Sequence, residues 1–149
     1  MWFQMLLGHL CGDYLFQNEF MALNKSKNTL EGWFAAFIHC VLYTFAVCLF
    51  MMNFDLIWIV VVFLSHFPID KFSLAEKYMH YVKGKGMKDY VAKDRFIIVE
   101  GQKYESAFTK PRLNRYDALE GGFTAFVYAL TDNTMHLIIM YLAYNLIYM

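Results

Sequence analysis

The stretch that decides the fold is GWFAAFIHCVLYTFAVCLFMM, residues 32–52, followed by NFD at 53–55 and LIWIVVVFLSHFPIDKFSLA at 56–75. At 1.5 Å per residue the first run is long enough to cross a hydrocarbon layer about 30 Å thick. The link Asn53-Phe54-Asp55 is so short that the second run must return antiparallel beside the first. Upstream, residues 1–22 form another apolar run, without the basic start or small-residue cleavage pattern of a removable signal. Downstream, residues 117–149 form the last. The pattern predicts an all-α, polytopic membrane protein with about four transmembrane helices, 1–22, 32–52, 56–75 and 117–149, in one antiparallel bundle. The whole chain, 1–149, reads as a single membrane domain with a polar loop at 76–116, in which 95–108 carries a weak hairpin signal around Glu100-Gly101.

Composition supports this reading. Of 149 residues, 59% are apolar and 19% aromatic, and only 17% are charged, against about 25% in an ordinary soluble domain. A soluble helical bundle with a large core is the competing class, and repeated spans rich in aromatics and methionine argue against it. The 13 basic and 13 acidic residues cancel, which disfavours a uniformly basic nucleic-acid binder. Ten of the 13 basic residues lie between Lys77 and Arg115, where four acidic residues leave a formal charge of +6. Lys25 and Lys27 fall on the same side of the bundle. By the positive-inside rule that side is cytoplasmic, which places both termini in the periplasm or outside the cell and the protein in the inner membrane as a multi-pass chain. Cys11, Cys40 and Cys48 sit in apolar runs with no CxxC pair, so a disulfide framework is not expected.

Against this background the polar residues inside the apolar runs stand out, because an ionisable group there costs at least about 2.5 kcal/mol on insertion scales. Four of the five histidines, His9, His39, His66 and His136, lie within expected spans. Three form i,i+4 pairs with an aspartate: His9/Asp13, His66/Asp70 and Asp132/His136. Residues four apart share one helix face, so each pair aims at one region. The polar stripe continues through Gln17 on the first helix and through Glu120, Thr124 and Tyr128 on the last, while His39 with Tyr43 gives the second helix a comparable face. Counted from the cytoplasmic ends, Asp13, His39 and His66 come out at roughly equal depth, about 12 to 15 Å.

Imidazole and carboxylate from facing helices make a ligand set for a divalent metal, zinc first, manganese or iron next. The candidate ligands are His9, Asp13, His39, His66, Asp70, Asp132 and His136. Seven exceed the four of a closed zinc site, which favours either two ions or one ion with outer partners. Among them Asp13, Asp70 and Asp132 are candidate catalytic carboxylates. Gln17, Lys25 and Lys71 are candidate substrate contacts, the lysines towards a phosphate. For any single pair the alternative is a neutral hydrogen-bonded couple that joins helices.

The segments His9-Leu-Cys-Gly-Asp13-Tyr-Leu-Phe-Gln17, Ser65-His66-Phe-Pro-Ile-Asp70 and Asp132-Asn-Thr-Met-His136, with Lys25 and His39, resemble domain-of-unknown-function family 3307, small multi-spanning membrane proteins of bacteria and phages. The likeness covers nearly the whole chain outside the basic loop, and Asn133 departs from it where a glutamine is expected. It implies the fold and the site positions but no activity. More distantly, the repeated HxxxD groups resemble small inner-membrane proteins labelled metal-dependent hydrolases, an associational likeness.

The expected function is an integral membrane metal-binding protein that hydrolyses a lipid or phosphoester substrate near the cytoplasmic face, with the lipid bilayer as its surroundings and a lipid or lipid-linked molecule as its substrate. A proton- or ion-conducting transporter or channel using the His/Asp stripe is the alternative. A third reading is a metal-stabilised phage or bacterial interaction protein without catalysis, acting as a homo-oligomer or on a host partner.

Overall fold

In the computed structural model, residues 1–84, 96–99, 102–105 and 115–149 are described. They fall into two compact units, Met1–Leu74 with Asp132–Met149, and Ala75–Thr131. Among the described residues the architecture is all-α apart from one two-stranded ribbon.

The first unit opens with α1, Trp2–Leu10, which runs directly into a π-helical turn, Cys11–Leu15, closed by a hydrogen bond from Phe16 N to Cys11 O. The expected unbroken helix over 1–22 is therefore corrected. The chain leaves helical geometry at Asn18, whose side chain accepts from Met21 N and starts α2, Glu19–Asn24. Next, Thr29 caps α3, Leu30–Met51, by accepting from Gly32 N, and Met52 ends it in the left-handed region at φ 50°. Asp55 caps α4, Leu56–Lys71, by accepting from Ile57 N.

The third apolar run was expected to continue to 75, but α4 stops at Lys71. Pro68 has no N–H to give to the preceding turn, and Ser73 turns the chain at φ 48°.

Close approach sets the packing of α1 on α3. A Cβ at Gly8 would lie 2.8 Å from Val47 Cα, and one at Gly12 would lie 2.6 Å from Tyr43 Cδ2. Only glycine lets the backbones meet there, and this places the π turn against the middle of α3.

The core of this unit has two layers. Met5, Val47, Cys48, Trp58, Val62 and Met140 form a buried apolar cluster reached by Tyr43. About one to two turns along each helix, towards the expected cytoplasmic side, come His9, His39, His66, Asp70 and His136, all buried. The outside has the opposite character. Phe3 is 69% exposed, Phe34 62%, Leu64 61% and Leu142 56%.

In the second unit, α5, Leu74–Lys83, buries Ala75 and Met79 and exposes Tyr78, Tyr81 and Val82. It occupies part of the expected 76–116 loop. β1, Phe96–Val99, pairs antiparallel with β2, Gln102–Glu105, in register Phe96↔Glu105 to Val99↔Gln102, so the 95–108 hairpin is seen over these eight residues. The turn at Glu100-Gly101 and the rest of that loop lie outside the described residues. The last helix, α6, Arg115–Tyr148, runs through both units.

Among the described residues, α3 alone is long and apolar enough by itself to cross a membrane, and α4 qualifies only when joined with Leu74–Val82. At 16 residues, α4 spans about 24 Å. The helical class thus stands, while the expectation of four full spans is not reproduced at the level of individual helices.

Candidate metal centre

The centre lies in the first unit, where the π turn, α3, α4 and the second half of α6 meet. The π turn carries Asp13 into the interior, and such turns recur at functional sites because the extra residue re-aims a side chain. Position along α3 and α4 supplies His39, His66 and Asp70, and α6 supplies Asp132 and His136.

Asp13, His39, His66 and Asp70 each offer one ligand atom, all within 4.8 Å of one another. His39 Nε2 lies 3.1 Å from His66 Nε2. It is 3.3 Å from Asp13 Oδ1 and 2.8 Å from Asp70 Oδ2. His66 Nε2 is 3.5 Å from Asp13 Oδ1 and 3.1 Å from Asp70 Oδ2. Metal–ligand bonds of 2.0–2.1 Å in a tetrahedron put ligand atoms roughly 3.3 Å apart, so these five edges enclose a space of the right size for a small divalent ion. Asp13 Oδ1 is buried with no hydrogen-bond partner among the described residues. Its surroundings are the two imidazole nitrogens, which fits a ligand oxygen better than a structural acceptor. A second group, Asp13, Asp132 and His136, meets the same 4.8 Å condition and shares Asp13 with the first. Buried His/Asp groups able to hold a metal ion are therefore present, and the residues fit such an ion by atom type, spacing and burial.

The remaining expected site residues divide. His9 Nε2–H donates to Asn133 Oδ1 at 2.6 Å, which leaves Nδ1 to accept from the Tyr43 hydroxyl at 2.9 Å. Both ring nitrogens are engaged, and His9 belongs to neither ligand group; its Nδ1 lies 3.5 Å from Asp13 Oδ2. Lys25 enters the centre: its Nζ donates to Asp70 Oδ2 at 2.7 Å and to Gln17 Oε1 at 2.8 Å, and lies 3.5 Å from His39 Nε2. Burial works to lower the Lys25 pKa, but the Asp70 and Asp13 carboxylates outweigh it and hold the group above its ordinary value, so it remains a cation. Lys71 does not reach the centre. It is buried, donates to Lys27 O at 2.7 Å and covers the Trp33 ring at 4.3 Å. The Glu120 side chain lies outside the described residues.

Two contributors were not among the expected site residues. Tyr43 stacks on the His66 ring with centroids 3.5 Å apart and fixes that imidazole. Asn133, one residue after Asp132, links His9 to Tyr14 by donating from Nδ2 to the Tyr14 hydroxyl at 2.7 Å. Its place beside Asp132 in the motif was the available signal.

The family model described as "Protein of unknown function (DUF3307)" matches residues 1–149, and the chain belongs to that family. Neither a curated protein nor a solved structure shows significant similarity to the chain.

Proposed function

We propose that this member of the DUF3307 family is a multi-pass membrane protein that holds a divalent metal ion within its helix bundle and uses it to hydrolyse a lipid or lipid-linked phosphoester near the cytoplasmic face. The observation that carries the reading is the set of Asp13, His39, His66 and Asp70 ligand atoms, all within 4.8 Å of one another and gathered from three separate segments of the chain.

The inverted distribution of polarity supports the membrane placement. Ionisable groups occupy the interior while phenylalanine and leucine side chains cover the outside, an arrangement stable where the surrounding solvent is hydrocarbon. The basic 77–115 stretch then faces the cytoplasm and the termini face outwards, in keeping with the positive-inside rule.

A divalent ion held among Asp13, His39, His66, Asp70, Asp132 and His136 would polarise a water or ester oxygen and ease loss of its proton near neutral pH. Asp13, Asp70 or Asp132 takes the proton as the water oxygen bonds to phosphorus. The ester P–O bond breaks, and the proton passes to the leaving oxygen. Lys25, beside Asp70 and Gln17, offers its ammonium to a phosphoryl oxygen. The exposed apolar flanks give an acyl chain a route from the side.

Transport along the His/Asp stripe is the weaker reading, because the polar layer gives way to Met5, Val47, Trp58, Val62 and Met140, a buried apolar plug in the other half of this unit.

The test is elemental analysis of the full chain, purified in mild detergent before any chelator or added ion. At least one equivalent of zinc, manganese or iron is expected, and it should be lost in His66→Ala while membrane insertion persists. Full metal retention in that variant overturns the ligand assignment.

A further inference from the structure

Asp70 divides its carboxylate between two directions. Oδ2 faces Lys25, His39 and His66, whereas Oδ1 lies 3.5 Å from His136 Nε2. The His136 side chain is 1% exposed, and its Nε2 has no hydrogen-bond partner among the described residues. That nitrogen stands 3.8 Å from Asp132 Oδ1, and His136, Asp132 and Asp13 form the second group of converging ligand atoms. A buried imidazole nitrogen aimed between carboxylates and hydrogen-bonded to none of them has the position and chemistry of a metal ligand.

We infer that a second divalent cation binds at Asp13, Asp132 and His136, beside the first, with the Asp13 carboxylate common to both positions. The inference rests on the metal reading above and extends it. A carboxylate common to two ligand sets can hold paired ions about 3.5–4 Å apart.

The two positions differ in kind. The first has four protein ligands, the number that closes a zinc site, while the second has three, which leaves a place for water or a substrate oxygen. The reacting oxygen therefore belongs at the second position, and the first serves to hold Asp13 and Asp70.

Charge then selects the substrate. Asp13, Asp70 and Asp132 against Lys25 leave the neutral-histidine centre with two formal negative charges, which one divalent ion cancels. A second ion leaves two positive charges in a dry interior, and these call for an anionic ligand. The centre thus suits a phosphate-bearing substrate rather than a neutral ester or amide.

The test is a manganese titration of the chelator-stripped full chain in detergent, followed by elemental analysis and electron paramagnetic resonance. The wild type should take two equivalents and show a spin-coupled signal. Asp132→Asn, which keeps the side-chain shape, and His136→Ala should each take one and show an uncoupled six-line spectrum. Inorganic phosphate should tighten the second equivalent in the wild type by about tenfold and leave Asp132→Asn unchanged.

Saturation of the wild type at one ion that His66→Ala abolishes overturns the second site and leaves the first standing. Two equivalents retained in Asp132→Asn also overturn the second site. Absence of binding in the wild type overturns both. A phosphate-independent second equivalent overturns the choice of an anionic substrate.

Discussion

Trp58 and His66 lie on the same helix, about two turns apart, and both are excluded from the surroundings, at 0% and 1% exposure. Their company could hardly differ more. Trp58 packs with Met5, Val47, Val62 and Met140 and meets the Tyr144 ring edge-on at 5.4 Å. His66 stacks on Tyr43 and shares a space of a few ångströms with a second imidazole and two carboxylates. The first environment is what apolar side chains form for themselves through dispersion and close packing. The second concentrates groups that are costly to desolvate, and such groups persist where they hold something. One half of the unit therefore accounts for why the helices associate, and the other concentrates the groups on which the proposed metal binding rests.

Mutations can break or sharpen this contrast. The largest effect is expected for His66→Ala, which should remove the bound metal while leaving the helices assembled, as judged by elemental analysis and circular dichroism of the same preparation. If the two halves are separable in this way, Trp58→Ala does the reverse: it should destabilise the fold by about 3–5 kcal/mol through the cavity it leaves, read from detergent unfolding, with unchanged metal content in the folded fraction. Should Trp58→Ala lose metal in proportion to His66→Ala, the layers are one cooperative unit.

Smaller effects probe the seam. His9→Ala removes the partner of Tyr43 and Asn133 beside Asp13 without removing a ligand, and a 10–100-fold loss of metal affinity is expected, as for other outer partners of a metal site. Competition against a chelator of known affinity measures it. At the small end, Gly8→Ala drives a methyl group against Val47 Cα and should cost about 1–3 kcal/mol. Its metal affinity should change less than that of Gly12→Ala, whose added carbon meets Tyr43 next to Asp13.

Much of the architecture was readable without coordinates. The apolar lengths and the three-residue reversal at 53–55 made α3 and α4 neighbours, and the observed α3 begins two residues before the expected start and ends one before the expected end. Similar expected depth grouped Asp13, His39 and His66, whose ligand atoms do converge, and the i,i+4 spacing from His66 brings Asp70 to the same place. What the pattern concealed was local backbone geometry. Residue types over 1–22 do not mark a π turn at Cys11–Leu15, whereas the polar triplet Gln17-Asn18-Glu19 coincides with the break at Asn18. The end of α4 was signalled by Pro68, but apolar residues continuing to Ala75 masked it.

Roles within the cluster were harder still. His9 and His136 look alike in sequence, each four residues from an aspartate. In the fold, His9 has both nitrogens hydrogen-bonded, whereas His136 Nε2 is left facing Asp70 and Asp132. Lys25 and Lys71 were equivalent candidates for a phosphate contact. The turn between α2 and α3 swings Lys25 onto Asp70 and directs Lys71 to the Lys27 carbonyl.

The sequence by itself determined that the chain is helical, that its exterior is apolar, and that imidazole and carboxylate groups line the inner faces, because these follow from residue type and periodicity along one segment at a time. Only the tertiary structure decided which of those groups share an ion-sized space, which are already satisfied by neighbours, and which lysine meets the acids. Those outcomes depend on ångström-scale offsets between segments far apart in the chain, set by the π turn and by glycines packed against α3, and no one-dimensional pattern carries that information.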